Sequence, residues 1–140
     1  MQFFNYNDKI ILGCVVMDVN SLNVLVLAYL GDTIYENYVR RYLINLGVAN
    51  VNDLQKRAIS FVSAKNQAKF VTKMIDEDFL ADDEIAIFRR ARNYRSSSHP
   101  KNCDIITYKY ATGLEAIIGY LDLKNKKERV AEVMQFILGE

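Results

Sequence analysis

The stretch Thr107-Tyr108-Lys109-Tyr110-Ala111-Thr112-Gly113-Leu114-Glu115-Ala116-Ile117-Ile118-Gly119-Tyr120-Leu121-Asp122-Leu123 decides the fold. Tyr110, Leu114, Ile117, Ile118 and Leu121 recur at the spacing of one face of an α-helix, so this segment predicts a helix with a core-facing stripe. A second apolar run, Val24 to Leu30, has no polar side at all and predicts a helix enclosed by others, the central element of a bundle. Around these two segments the stop and start signals also read as helical. Asp18 or Asn20 can cap a long helix from Ser21 to Leu46, with Arg40 and Arg41 towards its negative end and Gly47 just beyond. Asn52 followed by Gln55 resembles a capping box for a helix to Val62; Ser63 can cap the next, running towards Phe79; and Asp82 opens a fourth. Residues 94–104, with three serines and the chain's one proline, read as a loop before the 107–123 helix and a last one over Lys126 to Leu138. The expectation is an all-α single domain over residues 1–140, with residues 1–20 unplaced.

Composition narrows the function classes. At 140 residues, with 51% hydrophobic and 25% charged residues, the chain is of ordinary globular make-up and long enough for a core of its own. A net charge of +1 gives no bulk attraction to nucleic acid or membrane, so any basic site must be local. Cys14 and Cys103 are isolated and His99 is the only histidine, which argues against a disulfide framework and transition-metal chemistry and favours a reducing compartment. The apolar run Ile10 to Met17 is too short to span a bilayer.

Two acids break the apolar pattern. Asp32 lies seven positions after Leu25, within about 20° of it around the axis, so a carboxylate sits in line with apolar residues. It must pair with a cation, bind a metal, or face a water-filled cleft; the plainer alternatives are a buried ion pair or an exposed helix side. Glu115 repeats the anomaly in Leu114-Glu115-Ala116-Ile117. Gly31 adjoins Asp32, and Gly119 follows Glu115 by one turn. Glycine inside a helix costs about 1 kcal/mol relative to alanine, and close approach of two backbones is one reason to keep it. That approach would bring Asp32 and Glu115 together. Two carboxylates with no basic residue near them in sequence form a hard-oxygen site suited to Mg²⁺ and to phosphodiester hydrolysis.

Arg89, Arg90, Arg92, Arg95 and Lys101 form a run without an acid, followed by hydroxyl-bearing loop residues, and can grip a phosphate backbone without reading sequence. Complementarity to the helix dipole explains the same arginines without a ligand. Lys65 and Lys69 share one face of their helix and are further candidates. Ser98-His99 reads as exposed loop rather than nucleophile and base, and the chain has no glycine-rich phosphate loop. Tyr35, Tyr38 and Tyr42 read as core or interface residues.

The segments Leu27-Ala28-Tyr29-Leu30-Gly31-Asp32-Thr33-Ile34-Tyr35-Glu36 and Thr112-Gly113-Leu114-Glu115-Ala116-Ile117-Ile118-Gly119-Tyr120 resemble the two signature segments of the Mini-ribonuclease III family. The likeness extends through Val62-Ser63-Ala64-Lys65, Arg89-Arg90-Ala91-Arg92-Asn93 and Pro100-Lys101-Asn102-Cys103-Asp104, in the family's order, and covers nearly everything after residue 20. It implies an α-helical ribonuclease III catalytic domain without a double-stranded RNA-binding domain. The implied activity is cytoplasmic, Mg²⁺-dependent cleavage of duplex RNA by a homodimer, in maturation of 23S ribosomal RNA precursor, with a ribosomal protein as a candidate partner. Asp32 and Glu115 take the places of the family's catalytic, metal-binding acids, and Glu36 and Asp104 are candidate water-mediated helpers. Full-length ribonuclease III has two further acids where this chain carries Ala28 and Thr112, which leaves the number of ions open. Two rival expectations stand beside this one: a non-catalytic RNA-binding scaffold of a ribosomal particle with the same fold, and a helical protein-interaction domain with no RNA role.

Overall fold

A computed structural model describes residues 3–6, 9–12, 15–96 and 98–139, with residues 3–17 described by backbone alone. Six helices carry the chain from residue 24 onward: α1 (Val24–Asn45), α2 (Val51–Val62), α3 (Ala64–Asp76), α4 (Asp82–Arg92), α5 (Ile105–Leu123) and α6 (Lys127–Leu138). The helical reading of the sequence therefore holds element by element. Ahead of the helices stands a small antiparallel meander, β1 (Phe3–Tyr6), β2 (Lys9–Leu12) and β3 (Val15–Asp18), with β2 central, Phe3 opposite Leu12 and Lys9 opposite Asp18. The Ile10–Met17 run thus contributes to two strands rather than to one continuous element. Cys14 and Ser97 lie outside the described residues.

The caps are local and chemically specific. Asn23, not Asp18 or Asn20, caps α1, accepting from the Leu25 amide at 2.8 Å; Asp18 instead caps the short 3-10 turn Val19–Ser21. Asn50 caps α2 through the amides of Asn52 and Asp53, and Ser63 caps α3 through Asn66. Gly47 closes the end of α1 at φ +88°, a left-handed conformation that costs glycine little.

The centre of the bundle is α5, which packs against α1, α3, α4 and α6. From Ala111 to Leu121 every residue of α5 except Glu115 is buried. The role that the sequence suggests for α1 therefore falls to α5. In α1 only the face of Val24, Leu27, Ala28, Gly31, Tyr35, Val39 and Leu43 is buried, while Leu25, Val26 and Tyr29 are exposed, Tyr29 at 83%. The Leu25/Asp32 line is consequently an open face and not a core stripe. Tyr35 is buried, and Tyr38 and Tyr42 pack against the core, as their spacing suggests.

One buried ion pair ties the lower bundle together. Glu84 is buried and accepts from Arg129 at 2.9 and 3.0 Å, while the same guanidinium donates to the Phe79 carbonyl at 2.7 Å and covers the Phe79 ring. Removing one partner leaves a charge in a low-dielectric setting, so Arg129→Ala is expected to lower unfolding free energy by about 3 kcal/mol, measured by urea denaturation. A loss below about 1 kcal/mol would show that water reaches Glu84.

Candidate active site

Two helix glycines create the site. A methyl group on Gly31 would overlap the Glu115 carbonyl oxygen, and one on Gly119 would overlap the Leu27 carbonyl oxygen, so α1 and α5 cross with backbone against backbone. Only the absence of both side chains permits that approach. Because Asp32 follows Gly31 and Glu115 supplies the touching carbonyl, the crossing delivers both acids to one cleft. The walls of that cleft, about 350 Å³ in volume, include Asp32, Glu115, Ala28, Thr112, Gln67 and Tyr108. Ala28 and Thr112 lie on this same wall without charge.

The electrostatics are those of an uncompensated acid pair. Among the described residues neither Asp32 nor Glu115 forms an ion pair with a Lys or Arg. Burial, then the neighbouring Asp32 charge, pushes Glu115 up to about 7, partly offset by the Gln67 amide, which favours the ionised form. Asp32 is exposed and also raised, by partial burial and then by the Glu36 charge. Tyr35 is raised by burial and by the Glu115 charge, and its hydroxyl donates to the Phe61 carbonyl at 2.6 Å. Carboxylates held against their own ionisation mark a place where a cation would be stabilised. The donor set fits Mg²⁺: two carboxylates, a buried Gln67 carbonyl oxygen with no hydrogen-bond partner, and open space for water. Among the described residues no group of three or more His, Cys, Asp or Glu is placed to hold a metal ion, so neutral oxygens and water must complete any coordination.

The remaining candidates divide. Glu36 is engaged by Arg40 at 2.7 Å on the α1 surface and acts on the cleft through its field. Asp104 caps α5, accepting from the Thr107 amide at 2.9 Å and the Thr107 hydroxyl at 2.7 Å, bonds that hold its carboxyl below the usual range. It is not part of the cleft wall. Arg90 donates to the Leu22 carbonyl at 2.6 Å and so fastens α4 to the entry of α1. Arg89, Arg92, Arg95 and Lys101 are exposed around the end of α4 and the following loop, whose Pro100 borders the cleft. Lys65 and Lys69 are exposed on α3 and flank a neighbouring groove with Lys73, Thr72 and Thr107. The sequence reading missed Gln67. Its signal was a polar residue at position i of the buried i, i+4, i+7 series that continues with Val71 and Met74.

Comparison with known proteins identifies the family. Residues 25–126 match the model of the Ribonuclease III domain family. The chain is 42% identical over 121 residues to Mini-ribonuclease 3 of Enterococcus faecalis, covering 86% of this chain and 92% of that protein. It is 46% identical over 118 residues to Mini-ribonuclease 3 of Brevibacillus brevis, covering 84% and 87%. A crystal structure of a Fusobacterium nucleatum protein superposes with a TM-score of 0.76 at 34% identity, covering 87% of this chain and 96% of that one.

Proposed function

The chain belongs to the Mini-ribonuclease 3 branch of the ribonuclease III family and is an endoribonuclease, and from that premise we propose that it hydrolyses double-stranded RNA with Mg²⁺ held by Asp32 and Glu115. The observation that carries this reading is the acid pair itself, brought into one cleft by the Gly31/Gly119 crossing and left without a cationic partner among the described residues. When bound, the metal lowers the pKa of a water and stabilises charge on the phosphate. The protein's contribution is placement. Glu115 is fixed by the most buried helix, Asp32 faces the solvent side from which substrate arrives, and Tyr35 is locked by its bond to Phe61 behind them. Replacing Asp32 with Asn keeps the shape and removes one charge; cleavage is expected to fall at least about a thousandfold with helix content unchanged by circular dichroism. Cleavage at the unmodified rate would remove Asp32 from the site.

Selection of duplex over single strand follows in this reading from backbone contacts. A-form RNA offers phosphates and 2′-hydroxyls across a shallow minor groove, and exposed cations near the cleft suit such shape recognition. Lys65 and Lys69 on one side, with Arg89, Arg92, Arg95 and Lys101 on the other, are the proposed contacts. Neutralising Lys65 and Lys69 together is expected to weaken duplex binding for every sequence and to flatten the log K against log salt plot by about 2. An unchanged slope in a filter-binding titration would take α3 out of the interface.

A homodimer is part of the proposal. Leu25, Val26 and Tyr29 leave apolar surface open on α1, and Leu25 and Tyr29 also border the cleft, so a second copy seated there would cover that surface beside the acids. Among the described residues no helix is long and apolar enough to cross a membrane. Action in the cytoplasm on 23S ribosomal RNA precursor, alongside a ribosomal protein, completes the reading.

A further inference from the structure

Gln67 is only 3% exposed, yet it occupies a helix face otherwise built from Val71 and Met74. Its Nε2 donates to the Val62 carbonyl at 3.1 Å, at the end of α2. That bond decides which way the amide faces, because turning it over would set Oε1 against the Val62 oxygen, two acceptors in contact. Oε1 is thereby directed away from Val62, and it is buried without any donor, the sole buried side-chain polar atom in that condition among the described residues. Leaving a buried carbonyl oxygen unpaired is unfavourable, and native proteins rarely do so without cause. The Thr112 and Tyr35 hydroxyls are engaged elsewhere. Thr112 donates to the Tyr108 carbonyl at 2.9 Å and Tyr35 to that of Phe61 at 2.6 Å.

Gln67 shares the cleft wall with Asp32 and Glu115, and its amide acts directly on the Glu115 carboxyl. A hydrated Mg²⁺ needs oxygen ligands around it and acceptors for the outward-pointing hydrogens of its waters. With no third acid in the cleft, a neutral amide oxygen meets that need and adds no further repulsion between charges. Resting on the reading that Asp32 and Glu115 hold the cation, we propose that Gln67 is the third protein oxygen of the site, its Oε1 facing the hydrated ion while Nε2 remains on the Val62 carbonyl. The ion is then gripped from three helices, α1, α3 and α5, and its presence fastens α3 and the end of α2 to the α1/α5 crossing.

The test is Mg²⁺ binding without RNA, by calorimetric titration of the unmodified protein, Gln67→Met and Asp32→Asn. Methionine preserves the side chain's length and removes the oxygen together with the Nε2 donor to Val62. Mg²⁺ affinity is expected to drop roughly 10- to 100-fold in Gln67→Met, and the rise in melting temperature on adding Mg²⁺ is expected to shrink with it. Equal affinity in Gln67→Met and unmodified protein overturns the role of Gln67 while leaving the acid pair in place. Absence of Mg²⁺ binding in the unmodified protein, or its full retention in Asp32→Asn, overturns the underlying reading as well. If Gln67→Met fails to fold, the side-chain carbonyl ¹³C resonance of Gln67 in the unmodified protein decides. It is expected to shift with the Mg²⁺ saturation curve, and a static signal overturns the proposal.

Discussion

Glu115→Gln is expected to abolish RNA cleavage, by about a thousandfold or more, and at the same time to stabilise the metal-free protein at pH 8. The two effects share one cause. Burial and the Asp32 charge raise Glu115 from the ordinary 4.5 to about 7, so folding favours its protonated form. For an acid raised on folding, the native chain binds the extra proton. Stability attached to Glu115 is therefore complete below about pH 4.5, declines as pH rises towards 7, and is lost above that. The shift corresponds to on the order of 3 kcal/mol at most, with partial access of water reducing it. Glutamine has no charge to desolvate, so the variant should lack this decline and unfold at higher urea than the unmodified protein at pH 8. Saturating Mg²⁺ should reverse the order, because a cation stabilises the ionised carboxylate and not the amide. Parallel pH–stability curves for the two proteins in chelator would show that Glu115 is not held against ionisation.

Gly31→Ala is expected to be the most damaging single methyl group that can be added to this chain. Elsewhere in a helix the change would gain about 1 kcal/mol. Here the new methyl meets the backbone carbonyl of Glu115, which cannot rotate away. Gly113 offers the contrast: a methyl there meets the Phe88 ring at 2.6 Å, a side chain able to move. Relief at Gly31 requires α1 and α5 to separate along the seam that buries Leu27, Tyr35, Leu114, Ile117 and Ile118. A destabilisation of about 3 kcal/mol or more follows from such overpacking, together with loss of cleavage as the acids part. Gly119→Ala, striking the Leu27 carbonyl from the other helix, should behave alike. Thermal unfolding of both variants reads the effect; a midpoint within 2 °C of the unmodified protein, where about 3 kcal/mol corresponds to roughly 6–12 °C, would show that the helices can move apart freely.

What the sequence disclosed depended on whether the signal was local. Ser63 as a cap, Gly47 as a stop and Asp82 as an opening needed only neighbouring residues, and each matches an observed boundary. The pairing of Asp32 with Glu115 was legible because each acid travels with a glycine, and the glycines state that two backbones meet. The choice of α5 over α1 as the central helix was not legible, since Val24–Leu30 is apolar all round and periodicity cannot distinguish a surface buried within the chain from one left open. The meander at residues 3–18 escaped because Phe3-Phe4 and Ile10-Ile11-Leu12 lack the polar alternation of a half-exposed strand. Arg90, a candidate RNA contact, and Asp104, a candidate water-mediated helper, stand out in the sequence by their charge alone; the Leu22 carbonyl and Thr107 that they engage become visible only with the tertiary geometry and the helix cap. Gln67 left only a faint trace, a polar residue at the head of the buried Val71/Met74 series, and the absence of a donor for its oxygen is visible only in the folded chain.

The most direct measurement is incubation of the purified protein with a labelled RNA duplex and its matched single strand, in Mg²⁺ and in chelator, beside Asp32→Asn. Cleavage confined to the duplex, dependent on Mg²⁺ and absent in the variant is the predicted result. Binding without cleavage across several duplexes, in Mn²⁺ as well as Mg²⁺, would contradict it and leave a non-catalytic RNA-binding protein of the same fold.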